Sequence, residues 1–295
     1  IALNIDKNWK IEPTSIPFEI PQKNDERTVT FKVFPPKSES TSTLEAVVSM
    51  NGKKFNQELI EINYPHIPKQ TILQPSTSKL VKLDIQTKGK NIGYIKGAGD
   101  EVGSNLENLG FKVTTINPSD ISIKNLQNYD AILVGIRAFN VIDELAFKNK
   151  ILFEYVNNGG NLIVQYNTNR GLVTNDIAPY NLKISRDRVT NENAKVSFLA
   201  PDHAVLNTPN KITSKDFEGW VQEQGLYYPD EYASEFTPIL QANDEGETPT
   251  KGALLIAKYG KGNYIYTGLS FFRELPEGVS GAYRLLANII ALEKH

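Results

Sequence analysis

The chain has no cysteine, one methionine, two tryptophans and three histidines in 295 residues. Without cysteine there are no disulfides, no thiolate zinc sites and no cysteine nucleophile. With histidines only at 66, 203 and 295, no pair stands at the i, i+4 spacing of a helical metal site, so neither a metal nor a cofactor is expected. No excess charge of one sign is present either: 32 basic and 34 acidic side chains leave a formal charge of -2, which gives nucleic acid or an anionic membrane no electrostatic reason to bind. No apolar run reaches the roughly 18 residues of a membrane span. The first residues, "IALNIDKNWK", show no signal-peptide pattern; they read as the continuation of a longer chain, whose compartment would be periplasmic or extracellular if that chain carries a signal peptide.

What is present changes character along the chain. Residues 1–86 alternate in strand fashion: "RTVTFKVFP" sets Val29, Phe31 and Val33 on one face, and Asn51-Gly52 separates two alternating runs, a strong hairpin signal. Prolines punctuate these runs, and the expectation is a β-sandwich domain. After the linker "DIQTKGKN" the rhythm becomes that of βαβ units. Strands "NIGYIKG", "FKVTTIN", "YDAILVGIRAFN" and "NLIVQYNTN" alternate with helices ending at Gly110 and Gly159; a hairpin turning at Gly260-Lys261-Gly262 and a last helix, "GAYRLLANIIALEK", follow. This predicts an open, mostly parallel α/β domain over 91–295, flavodoxin-like in order, with a parallel core of Ile92 to Ile95, Ala131 to Gly135 and Leu162 to Gln165.

Ligands of such sheets sit beyond the carboxyl ends of the strands. The side chains to weigh are therefore Gly97 to Glu101, Arg137 to Asn140, Gln165 to Asn169 and Ser270 to Arg273. The glycines of "GYIKGAGDEVG" fit neither dinucleotide nor P-loop spacing, and Asp100 and Glu101 at the helix start repel a phosphate. Asp202 and His203 are adjacent, which suits a turn better than a base and its orienting acid. "KDFEGWVQEQGLYYPDEY" sets Asp216, Glu218, Glu223 and Asp230 beside Trp220, Tyr227 and Tyr228, as carbohydrate sites do, and as packed insertions also do. Arg186 and Arg188 share a strand face and serve either a carboxylate clamp or internal ion pairs. Phe271 and Phe272 must point opposite ways, so one faces a pocket.

Several segments together carry a resemblance: "IGYIKGAGDEV", "DAILVGIRAFN", "GGNLIVQYNTN", "LKISRDRVTNENAKVSFLAPDHAVLNTPNKITSKDFEGWVQEQGLYYP" and "YGKGNYIYTGLSFFRELPEGVSGAYRLLANII". They resemble the carboxyl-terminal region of large bacterial PIG-L (LmbE-like) deacetylases. That resemblance implies a β-sandwich followed by a class I glutamine amidotransferase-like domain, with a deacetylase domain of the same polypeptide as partner. It also implies two chemistries whose reagents are missing. The deacetylase metal motif, similar to A-H-P-D-D, is absent, with only the scrambled "APDH" at 200 to 203, and Tyr166 and Asn167 stand where the amidotransferase cysteine is expected.

The expectation is thus a module without catalysis of its own, packing against or presenting glycan to a deacetylase domain. The alternatives are a glycan hydrolase using Asp202, His203, Glu218 or Glu223, and a purely structural domain pair. The expected ligand-binding residues are Arg137, Tyr166, Asn167, Arg186, His203, Glu218, Trp220 and Arg273, with the long insertion as lid and Trp220 as an exposed stacking ring; the counter-reading has Trp220 in the core and Arg186 in internal ion pairs, and a Trp220 buried away from any cleft favours the purely structural pair.

Overall fold

In the computed structural model, residues 1–293 are described; Lys294, at the end of the last expected helix, and His295 lie outside them. The chain divides into two compact units, Ile1–Asp84 and Ile85–His295.

The first unit is all strand and turn. Ser40–Met50 is its longest strand and pairs antiparallel with Ala2–Asn4, Lys53–Phe55 and Thr77–Lys82. Separate two-stranded pairs are Lys10–Glu12 with Lys32–Phe34, and Gln57–Ile62 with Gln70–Pro75. Asn51-Gly52 forms the expected hairpin, with φ of +50° and +76° and Met50 facing Lys53. A buried sandwich core does not accompany these strands. Trp9 is the buried hydrophobic side chain of this unit, while Phe34, Met50, Phe55, Leu59, Tyr64 and Leu73 are exposed. Alternation specifies a strand and its two faces, but a sandwich needs a second sheet to cover one of them.

Nothing lies within 4 Å of a Cβ built on Gly52, so a substitution there meets backbone strain alone. Gly52→Ala should cost about 1 kcal/mol. Amide hydrogen exchange of residues 48–55 would show it as faster opening of the hairpin, and unchanged protection would contradict the turn geometry.

The second unit is built on a seven-stranded sheet. In chain order its strands are β1 (Asn91–Ile95), β2 (Lys112–Thr115), β3 (Ala131–Val134), β4 (Asn161–Gln165), β5 (Phe236–Pro238), β6 (Leu254–Tyr259) and β7 (Gly262–Thr267). Their spatial order is β2-β1-β3-β4-β7-β6-β5. The first five in that order run parallel, and β6 and β5 close the edge antiparallel. The central strands are buried along their whole length, which is why their sequences are apolar runs and not alternations.

Helices cover both faces. Ile132, Val134, Leu162, Val164, Tyr264 and Tyr266 pack with Leu152, Tyr155 and Val156 of the long helix Leu145–Asn157. On the other face the helix Val102–Glu107 brings Gly103 against the Tyr94 ring. A later helix, Ser280–Ile290, is tied to it by the Tyr283 hydroxyl, which donates to Asn105 Oδ1 at 2.7 Å.

The stretch between β4 and β6, expected as a lid, is structured. Leu182–Val189 and Gly225–Tyr232 form an irregular antiparallel ribbon, Ser197–Phe198 pairs with Leu240–Gln241, and β5 joins the sheet edge. Its aromatic residues fold it inward: Phe217, Trp220, Tyr228 and Phe236 are all buried.

Candidate ligand site at the carboxyl edge of the sheet

Strand order reverses between β1 and β3, where an open α/β sheet ordinarily receives its ligand. Here that crevice is shut. A Cβ on Gly97 would lie 2.0 Å from the Ile136 carbonyl oxygen, and the Ala98 amide donates to that same oxygen at 2.9 Å. Asp100 then fills the anion position. Its carboxylate accepts from the Tyr94 hydroxyl, from the Val102 amide at 2.9 Å and from the Ile136 amide at 3.3 Å. Burial, and then the charge of Asp100, push the Tyr94 hydroxyl pKa far up, so Tyr94 remains a donor. A phosphate would have to displace a carboxylate already holding these donors.

The sharp strand-to-helix turn lies after β3, at Arg137, and not at Tyr166-Asn167 where the missing nucleophile is expected. Arg137 has φ +55° and ψ +19° and precedes the single helical turn Ala138–Val141. Such a backbone costs a non-glycine residue about 1 kcal/mol or more and persists only where its surroundings enforce it. The enforcement is visible. The Arg137 amide donates to the Tyr166 carbonyl at 2.8 Å, and fully buried Asn167 accepts from the Phe139 amide at 2.9 Å while its Nδ2 donates to the Gln165 carbonyl at 3.0 Å. Asn167 therefore braces the turn and does not face a ligand.

Two further non-glycine residues of this unit have positive φ, Gln222 at +66° and Tyr227 at +54°. The Arg137 amide and the Tyr227 ring contact Tyr166 directly, and Gln222 joins them through Arg273. The Tyr166 ring is stacked with Tyr227 at 6.1 Å and 9°, and meets Phe272 at 5.3 Å. Arg273 lies 4.8 Å over the Phe272 ring, its Nε donates to Glu223 Oε1 at 3.1 Å, and a terminal nitrogen donates to Gln222 Oε1. Burial raises the Tyr166 hydroxyl pKa, while Arg137 and Arg273 pull it back down. The hydroxyl keeps its proton near neutrality and makes no hydrogen bond among the described residues. Arg137 is exposed and carries no ion pair among them. Phe271 is fully buried and Phe272 half-buried, as expected of one ring facing outward, but they lie on the helical turn Phe271–Glu274 and not on an alternating strand.

No family model matches the chain, and no curated protein matches it. Among solved structures, a cytoplasmic protein from Salmonella typhimurium LT2 aligns with TM-score 0.45 and 14% identity over 87% of this chain and 97% of its own. A GMP synthase component from Thermoplasma acidophilum gives 0.43 and 13% over 70% and 96%. A ThuA-like protein from Bacteroides uniformis gives 0.41 and 13% over 68% and 89%. These are distant likenesses, and the site is read from its own geometry.

Of the eight residues expected at a ligand site, Arg137, Tyr166, Asn167 and Arg273 come together at this edge. The other four lie elsewhere. Trp220 is 3% exposed, stacked on Phe217 at 5.6 Å, with its indole nitrogen donating to the Asp216 carbonyl at 2.9 Å; it is core, and the expected exposed ring is corrected. His203 opens the short helix Ala204–Asn207, where its Nδ1 accepts from the Val205 amide at 3.1 Å. Burial lowers the His203 pKa and holds the ring neutral, as a turn-fixing histidine should be. Glu218 is exposed and has no hydrogen bond to His203. Arg186 lies on the ribbon, in a groove of about 760 Å³ that it lines with Asp187, Arg188 and Asp230.

Tyr227, Phe272, Gln222 and Glu223 complete the cluster. Gln165, at the end of β4, is 1% exposed, and neither polar atom of its side chain has a hydrogen-bond partner among the described residues. No group of three His, Cys, Asp or Glu side chains among the described residues could hold a metal ion.

Proposed function

We propose that this chain is a non-catalytic, carbohydrate-binding accessory region of a larger PIG-L-like N-acetylsugar deacetylase, with an amidotransferase-like unit whose nucleophile position is lost. The observation carrying this reading is the gathering of three strained residues, Arg137, Gln222 and Tyr227, about one ring cluster that holds no nucleophile, in which Tyr166 is buried and Tyr227 and Phe272 are the half-buried rings open to a ligand. Strain of this kind gathers where a surface is held in shape for a ligand. Aromatic faces stack on sugar C–H surfaces, and the free hydroxyl and guanidinium donors at their border suit sugar oxygens.

Ser270, Glu223 and His203, three of the side chains a hydrolase could draw on, are spent on structure, while Asp202 and Glu218 are exposed and form no hydrogen-bonded set with them among the described residues. Ser270 is fully buried and its hydroxyl donates to the Glu223 carbonyl at 2.6 Å, Glu223 is paired with Arg273, and His203 caps a helix. The full chain should release neither ammonia from glutamine nor acetate from N-acetylated sugars.

Calorimetry with acetylated and free amino-sugar oligomers tests the binding reading. Phe272→Ala should raise Kd about tenfold, the loss of one aromatic contact at a binding site. A panel that gives no heat with the wild-type chain would hand the case to the purely structural reading.

A further inference from the structure

Resting on the sugar-binding reading of this same edge, we infer that its ligand is an acidic sugar whose carboxylate is taken by Arg137. The two guanidiniums beside Tyr166 differ in what they are already doing. Arg273 is committed: Glu223 neutralises it, Gln222 fixes one terminal nitrogen, and its plane lies on Phe272. Arg137 makes no side-chain hydrogen bond or ion pair among the described residues, although its backbone is fixed by the Tyr166 carbonyl at 2.8 Å.

A positioned backbone with an uncommitted planar fork of five N–H donors is the arrangement that takes a carboxylate by two parallel hydrogen bonds. Both guanidiniums lie close enough to the Tyr166 hydroxyl to lower its pKa against burial, but the Glu223 carboxylate paired with Arg273 acts the other way, which leaves Arg137 as the unbalanced charge beside the rings.

A phosphorylated ligand fits less well. No glycine cradle opens here, and the amides at the neighbouring strand crossover are taken by Asp100. One free guanidinium beside an aromatic floor suits a single negative charge carried by a ring, as in a uronic acid residue.

The test compares oligogalacturonate with the neutral galactose oligomer of the same length, by calorimetry on the full chain at low salt. Wild type should bind the uronate roughly ten- to a hundredfold more tightly, the range for a charge-assisted pair, and the preference should shrink as salt is added. Arg137→Asn is the informative variant because asparagine tolerates the left-handed backbone at this position. It should bring the uronate-to-neutral ratio close to one, with a melting temperature near that of wild type confirming the fold.

Equal affinities in wild type, or a preference that survives Arg137→Asn, would overturn the inference and leave the sugar-binding reading standing. Failure of both oligomers and of the amino-sugar panel to bind would remove the reading and the inference with it.

Discussion

Replacing Trp220 with alanine should destabilise the second unit by about 3–5 kcal/mol, the cost of emptying a buried aromatic site. The indole is 3% exposed, lies between Phe217 at 5.6 Å and Phe271 at 6.3 Å, and donates its one N–H to the Asp216 carbonyl at 2.9 Å. The substitution therefore removes packing on two faces and leaves that buried carbonyl without its donor. Asp216 is itself a junction: its carboxylate caps Ser214–Phe217 through Thr213 and accepts from Arg284 at 2.9 Å. Loosening the ring thus loosens the insertion against the last helix. Urea denaturation followed by tryptophan-independent circular dichroism would measure the change. A loss below about 1 kcal/mol would mean that the ring sits at the surface after all and would return Trp220 to the ligand contacts.

The same residue shows where reading the sequence stops. Trp220 sits in a stretch without helical or strand periodicity, so no pattern in its neighbourhood says which way the ring faces; beside its local contacts with Phe217 and Asp216, the ring is closed in by Phe271, fifty-one positions away. The partnership of Glu223 with Arg273 is equally non-local. By contrast, the parallel strands Asn91–Ile95, Ala131–Val134 and Asn161–Gln165 were legible because each is a short apolar run bounded by glycine or polar residues. Asn51-Gly52 was legible because few other pairs accept two positive φ values. Arg137 was found for a different reason from the one that now singles it out. Its position at a strand end was readable, but an arginine carries no mark of left-handed backbone, which ordinarily points to glycine or asparagine. In the first unit alternation gave strands, and the number of packed sheets could not be inferred from it.

The stability of the second unit should fall as pH rises from about 4.5 to 7, by an amount traceable to Glu274. This side chain has no exposed surface, and burial, the largest cause, pushes its pKa up from 4.5 to about 7. The Val221 amide, which donates to the carboxylate, and the charge of Arg273 oppose burial without cancelling it, and Glu277 adds to it. The hydrogen bonds agree with a protonated acid. Ser270 has one hydroxyl proton, given to the Glu223 carbonyl at 2.6 Å, so its 3.1 Å contact with Glu274 Oε1 is best made by a carboxyl proton donated to Ser270 Oγ. Because the folded pKa lies above the unfolded one, the folded state holds the extra proton. The associated stability is fully present below about 4.5 and is lost as pH climbs through 7. A shift of this size corresponds to about 3 kcal/mol at most. Glu274→Gln should remove that dependence, because the amide keeps both contacts: its oxygen accepts from the Val221 amide, now at 2.9 Å from Glu274 Oε2, and its NH₂ donates to Ser270. Denaturation curves at pH 5 and pH 8 should therefore show the variant gaining on wild type by about 2–3 kcal/mol across the interval. Parallel pH profiles for the two proteins would mean that Glu274 is ionised throughout, and that the proton assigned to its contact with Ser270 is not there.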